Sequence, residues 1–162
     1  MPNQEALAWF TEKIWPKVRK LHQDLEFEIV GRNQPADFEI KSNHGVKVIG
    51  EVPSAVDYMN SRTIMVVPLL SGSGMRIKIM EAMALGKAII TTSVGLEGID
   101  AVDGEQVLVA NTVEEFVAAI SKCLKDPSFC HKIGENAAIF VREQYDNDRM
   151  ITSLLEFYKQ LI

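Results

Sequence analysis

Cysteine is nearly absent from this chain of 162 residues: Cys123 and Cys130 stand in "SKCLKDPSFCHKIG", beside His131. Two thiols and one histidine do not complete a tetrahedral metal set, and cysteines in a helical stretch are ordinarily reduced and buried. Neither a structural zinc nor a disulfide framework is expected. A cationic excess is missing too. Lys and Arg number 17 against 22 Asp and Glu, a formal net charge of -5, which leaves no basic surplus to neutralise a phosphate backbone and excludes a general nucleic-acid binder. No apolar run approaches the length of a bilayer span, and "MPNQEALAWF" lacks the basic start and continuous apolar core of a secretory signal. The chain therefore reads as soluble and cytoplasmic. Repeats, low-complexity tracts and linkers are absent as well. His22 and His44 have no partner at ligand spacing and are expected on the surface or in loops.

What is present is the composition of a globular domain, 47% hydrophobic and 24% charged, in a length that suits one core. Helical and strand periods alternate along it. "NQEALAWFTEKIW" puts Leu7, Phe10 and Ile14 on one helical face with Trp15 close by. Asn3 is the expected cap, and Pro16 interrupts the helix before the short "PKVRKLH". "LEFEIVG" alternates Leu25, Phe27 and Ile29 with Glu26 and Glu28, the pattern of a strand. A polar connection, "RNQPADFEIKSNHG", leads to the strand "VKVIG" and the short helix "VPSAVDYMNS". Then come the strand "TIMVVP", a Ser/Gly loop and helix, and the strands "KAIITT" and "VLVA". The helix "TVEEFVAAISKCLKD" follows, in which Thr112 and Glu115 have capping-box spacing, and two further helices close the chain. Apolar strands separated by helices specify parallel units with both sheet faces covered. The expected fold is α/β, a doubly wound parallel sheet of about five strands forming one Rossmann-like domain over residues 1–162. Trp9 and Trp15, which would suit a carbohydrate platform, fall on the apolar helix face and are expected in the core or against another domain.

In such sheets ligands bind beyond the carboxyl ends of the strands, where the loop after "TIMVVP" lies. Residues 71 to 74 of "LLSGSGMRIKIMEAMALGKAIITT" read Ser-Gly-Ser-Gly. They let backbone approach a ligand and present amides at a helix start, where the dipole favours an anion. Arg76 can add a guanidinium fork and Lys78 a point charge, both suited to phosphate, while Glu81 can accept from a ribose diol. On residues alone a second reading stands level with this nucleotide site: Lys78 and Glu81 as an ordinary i,i+3 ion pair beside a turn. The loop is neither a Walker motif nor a G-x-G-x-x-G fingerprint. "DND" at 146 to 148 matches a metal-binding D-x-D pattern, but it precedes an amphipathic helix, and an N-cap is the expected role of Asp146 or Asp148.

"SGSGMRIKIMEAMALGKAIITTSVGLEGI" resembles the donor-site segment of GT-B glycosyltransferases of the large retaining family called GT4, or glycosyl transferases group 1. "PNQEALAWFTEKIWPKVR", "FEIVGRN", "VKVIGEVPSAVDYM" and "GEQVLVANTVEEFVAAI" resemble successive pieces of the C-terminal, sugar-nucleotide-binding half. Many members carry two glutamates with seven residues between them. The second, which binds the ribose, matches Glu81, whereas Ser73 stands where the first would contact the donor sugar. The resemblance implies that Arg76 and Lys78 are the catalytic cations on the diphosphate. It also implies that Gly74 and Met75 offer amides to the diphosphate or sugar, that Gly50 and Val52 border the base, and that Gly95 lines the far side of the pocket. The implied activity is transfer of a sugar, hexosyltransferase-like, from a nucleoside-diphosphate sugar to an acceptor, with no cofactor and no obligatory metal. The alternatives are a non-catalytic nucleotide- or sugar-binding or interaction module and a sugar-nucleotide epimerase, the latter disfavoured by "SGSGMRIK".

Proteins of this kind have an N-terminal acceptor domain and begin the C-terminal half with a strand of the type "FxGSxDW" directly before "PN". The chain starts at Met1-Pro2-Asn3 and is expected to be a fragment that alone transfers no sugar. In the order 3-2-1-4-5-6 that first strand is central. Its absence would leave "LEFEIVG" and "TIMVVP" with unpaired inner edges, to be resolved by closure of the sheet or, as favoured here, by association with another chain.

Overall fold

The computed structural model describes residues 2–32, 45–145, 151 and 155–159. His44, most of the polar connection and the D-N-D stretch with its expected cap lie outside them. Helix α1 (Pro2–Trp9) widens into a π-helical turn (Phe10–Ile14) and continues as α2 (Trp15–Leu21). There follow β1 (Phe27–Val30), β2 (Val46–Gly50), α3 (Ala55–Asn60), β3 (Ile64–Val67), α4 (Ile77–Ala84), β4 (Ala88–Thr91), β5 (Leu108–Val109), α5 (Val113–Lys125) and α6 (Pro127–Gln144). Among the described residues every strand pairing is parallel. This is the doubly wound α/β architecture expected from the alternating periods.

Local chemistry sets the helix ends. Thr112 accepts from the Glu115 amide at 3.2 Å while Glu115 accepts from the Thr112 amide at 2.9 Å, a reciprocal cap that fixes the start of α5. Ser54 caps α3 through Asp57 N–H, and Asp126 caps α6 through Phe129 N–H, with Pro127 in the first turn. Gly86, at φ 69°, closes α4 in the left-handed conformation. Asn3 is not the cap of α1: the helix already includes Pro2, whose missing N–H costs nothing in a first turn. Pro16 does not break the segment either. The preceding turn loosens instead, the Trp15 amide reaching back to Phe10 O, a π bond that accommodates the proline within one continuous helical run.

Two apolar clusters cover the sheet faces. On one face Phe10, Ile14, Trp15 and Val18 from the first helices meet Phe116 and Ile120 of α5 and Ala88, Ile90 and Leu108 of the strands. Trp15 is buried and Trp9 stacks edge-on against Phe116 with centroids 5.5 Å apart, so both tryptophans are packing residues. On the other face Ile79, Ala82 and Met83 of α4 meet Ile89, Ile99, Val107 and Ala137. Cys123 and Cys130 are buried, free thiols of α5 and α6, hydrogen-bonded to each other. That bond, with burial, pushes the Cys123 thiol up, and the same bond lowers Cys130. His22 is half-buried, 2.9 Å from Ser121 Oγ.

The strands form two sheets, β2-β1 and β3-β4-β5. Among the described residues β1 and β3 do not pair, so the sheet has not closed.

Candidate functional site

The loop from Pro68 to Arg76 leaves the carboxyl end of β3 and enters α4. Two threonines of β4 and its exit position it: Thr91 Oγ1 donates to Val67 O at 2.8 Å and Thr92 Oγ1 to Leu69 O at 2.5 Å. Gly72 (φ 122°) and Gly74 (φ 82°) adopt conformations that L side chains rarely take, so the path of the chain calls for glycine at these two positions. Ser71, Gly72, Ser73, Gly74 and Met75 are exposed and Arg76 is half-buried.

Arg76 is the N-cap residue of α4, but its side chain makes no capping bond. The guanidinium instead folds back over the loop, donating from Nη1 to Ser73 O at 2.7 Å, while its buried Nε has no partner. Lys78 Nζ donates to Glu81 Oε2 at 2.6 Å in an exposed ion pair. The structure thus brings Ser73, Gly74, Met75, Arg76, Lys78 and Glu81 together at an uncapped helix start bearing two cations. It also forms the i,i+3 pair that the spacing allowed. Ile77, between the cations, is 70% exposed, a large apolar side chain left bare beside them.

The turn after β4 closes on the same loop. Gly95 is buried and its amide donates to Thr92 Oγ1 at 3.0 Å. A Cβ at Gly98 (φ 79°) would lie 3.6 Å from Met75 N and Cα, so the turn passes close to the loop. Ser93 is held by Asn111, whose Oδ1 accepts from both its amide and its hydroxyl at 2.9 Å. Gly50 (φ 79°) ends β2, which lies in the other sheet beside β1, and Val52 follows two residues after it. A cavity of ≈ 700 Å³ lies elsewhere, lined by Arg62, Lys87, Cys130, His131 and Glu135, next to where β3 and β4 begin.

A family model described as glycosyl transferases group 1 matches residues 1–126. The chain belongs to that family. This group 1 chain is 29% identical over 166 residues to an uncharacterized 44.6 kDa protein of the cps region of Klebsiella pneumoniae, covering 96% of itself and 43% of that protein. It spans less than half the length of the curated relatives it matches. Its fold is shared with the C-terminal domain of LpcC, a glycosyl transferase group 1 family protein of Francisella tularensis. That match has a TM-score of 0.69 at 19% identity and covers 86% of this chain and 80% of that one. It is shared too with HepE of Anabaena in complex with UDP and glucose, with a TM-score of 0.73 at 14% identity, covering 91% and 44%. Among the described residues no helix of the group 1 chain is long and apolar enough to cross a membrane.

Three features around this loop were not read from the sequence. Ser71 donates to Glu5 of α1 at 3.0 Å, Thr91 and Thr92 pin the loop through hydroxyls, and Asn111 holds Ser93. The threonines carried a signal, since two hydroxyls at the end of an otherwise apolar strand need partners when buried. Away from the loop, Tyr58 of α3 donates to Glu28 Oε2 of β1 at 2.6 Å, and Arg62 Nε donates to the same oxygen. The Arg62 bond first, then Tyr58, holds the Glu28 carboxyl below the ordinary range.

Proposed function

We propose that this chain is the donor-binding half of a retaining glycosyltransferase, taking a nucleoside-diphosphate sugar at the carboxyl edge of β3. The observation that carries the reading is the pair of cations at the uncapped start of α4, behind a loop opened by Gly72 and Gly74. The diphosphate rests on Arg76, Lys78 and the amides at Gly74 and Met75. Glu81 accepts from the ribose, Ser73 faces the sugar, Gly50 and Val52 border the base, and the Gly95 turn forms the far wall. UDP in the HepE complex is consistent with this ligand class. As the bond from the sugar to the diphosphate breaks, negative charge grows on the leaving phosphate oxygen, and Arg76 and Lys78 stabilise it with no obligatory metal. Lys78 gives up or shares its bond to Glu81 when the diphosphate arrives. The acceptor is held by another part of a longer polypeptide, so this chain alone transfers no sugar.

Titration with UDP and with uridine, followed by amide NMR, tests the reading. Arg76→Ala and Lys78→Ala should each weaken UDP binding by roughly tenfold or more, the scale of a charge-assisted contact, and leave uridine nearly unchanged. Glu81→Gln should reduce discrimination between UDP and 2′-deoxy-UDP. Equal losses for UDP and uridine, or unchanged UDP binding in both cation variants, would mean that Lys78 and Glu81 serve only each other.

A further inference from the structure

Cys123 and Cys130 take no part in the site proposed above. They stand seven positions apart, in the last turn of α5 and the first turn of α6, and a single residue, Asp126, separates the two helices. Asp126 ends α5, its amide bonding back to Lys122 O at 3.0 Å. It also starts α6, its carboxylate accepting from Phe129 N–H at 3.0 Å and from the Ser128 hydroxyl at 2.6 Å. Pro127 fixes φ at the first position of α6, which leaves the joint little freedom. One turn beyond Cys130, Gly134 lies against the main chain of Gly86, where even a Cβ would meet Gly86 O at 2.1 Å, so α6 is seated on the end of α4. The two thiols therefore come from braced helices. Both are buried, both belong to the Phe10 cluster, and they share a hydrogen bond.

As packing, each thiol fills the space of a small apolar side chain. The pair is also asymmetric. Cys130 forms part of the wall of the ≈ 700 Å³ cavity beside the starts of β3 and β4, and Cys123 does not. Much of the rest of that wall is polar, with Asn60, Thr63, Lys87, His131 and Glu135 among its residues, which suits a small polar reactant. The shared bond runs in a matching direction: it lowers the Cys130 thiol and, with burial, raises Cys123, so Cys123 is the donor and Cys130 carries the more anionic sulfur.

We infer that Cys130 and Cys123 form a reversible redox site, at which a hydroperoxide entering the cavity oxidises Cys130 and Cys123 then closes an intrachain disulfide. Cys130 Sγ attacks one peroxide oxygen and the O–O bond breaks. The thiol proton goes to the departing oxygen, which leaves as water or an alcohol, and Cys130 becomes a sulfenic acid. Cys123 Sγ then attacks the Cys130 sulfur, the S–O bond breaks, and the hydroxyl leaves with the Cys123 proton as water. In sum two thiols give up two electrons and two protons to one peroxide. Because the partners already touch, the second step is intramolecular and consumes the sulfenic acid before further oxidation. A small dithiol restores both thiols by exchange.

The probe is hydrogen peroxide, added to the whole reduced chain. Remaining thiols are blocked with iodoacetamide in denaturant and the peptides are read by mass spectrometry. Wild type should gain a bridge between Cys123 and Cys130 within one chain, lighter by two hydrogens, that dithiothreitol removes. Cys123→Ser should stop at a Cys130 sulfenic acid that dimedone traps. In Cys130→Ser, oxidation of Cys123 should be slower than that of Cys130 in Cys123→Ser by roughly tenfold or more, because Cys123 has neither the cavity nor the more anionic sulfur. The proposal is overturned if native wild type keeps both thiols free under peroxide that bridges the same chain unfolded in urea, since the cysteines then serve packing alone. It is overturned equally if bridges form only between chains, or if the two single variants are oxidised at the same rate.

Discussion

Replacing Gly95 by alanine probes how the turn after β4 is fitted to the end of β3. Gly95 has no left-handed φ, so the cost is space rather than dihedral strain. An added Cβ would lie 2.1 Å from Thr91 Oγ1, 3.3 Å from Val67 O and 3.4 Å from Thr92 O. The two carbonyl contacts ease with shifts of a few tenths of an ångström, but the hydroxyl must move by about 1 Å or more to regain van der Waals separation. Thr91 is fully buried and that hydroxyl donates to Val67 O at 2.8 Å. Moving it breaks the bond, costing about 1 to 3 kcal/mol for the buried unpaired group, with about 0.5 to 1.5 kcal/mol for an off-rotamer side chain. The sum is about 1.5 to 4.5 kcal/mol, or a fall in Tm of roughly 3 to 18 °C for a domain of this size. Thermal melts of the wild type, Gly95→Ala, Thr91→Ala and the double variant form the assay. Without the Thr91 oxygen, Gly95→Ala should cost less than about 1 kcal/mol. If alanine at 95 is equally harmful in both backgrounds, Thr91 is not what excludes it.

Gly134→Ala should be worse. Its Cβ would meet Gly86 O at 2.1 Å and Gly86 C at 2.8 Å, main-chain atoms that cannot rotate aside. More than about 3 kcal/mol is expected, and a soluble variant melting at the wild-type temperature would refute the contact. The Glu28 carboxyl, held low by Arg62 and Tyr58, stabilises the fold fully above the carboxyl pKa of the unfolded chain and loses that contribution as pH falls through its folded value. Denaturant melts from about pH 6 down to pH 3 should therefore show wild type losing more stability than Glu28→Gln, the difference closing at the acid end. Parallel curves would show that Glu28 is not coupled to folding in this way.

Much of this molecule was legible because it is written in short-range patterns. The five strands fall within the apolar runs assigned to them, and Thr112 with Glu115 forms the box their spacing announced. The loop at the end of β3 was legible for a similar reason: glycines, cations and a helix start lie within a dozen residues. What was not legible depends on residues distant in the chain. Glu28 alternates like any solvent-facing strand residue, and nothing in that pattern names Tyr58 or Arg62 as its partners. Ser71 and Glu5, or Gly95 and Thr91, meet only once helices and strands have packed. The Lys78–Glu81 bond was readable as a spacing, but whether the two groups point at each other or outward is decided by rotamers, which spacing does not fix.

The wide turn at Phe10–Ile14 also settles a matter of angular phase. At about 100° per residue, Ala6 and Val18, separated by twelve positions, would face directions about 120° apart on an unbroken α-helix. Both are buried in this structure, as are Phe10 and Trp15 between them. The additional residue taken up in the wide turn subtracts about one step of 100°, which brings the two ends of the segment back onto nearly one line. The hydrophobic residues of this segment are thus spaced for a helix that slips by one residue at its middle. Deleting one residue between 10 and 14 would leave Ala6 and Val18 eleven positions apart, about 20° out of line on a regular α-helix, so the wide turn could close while both ends of the segment still face the core.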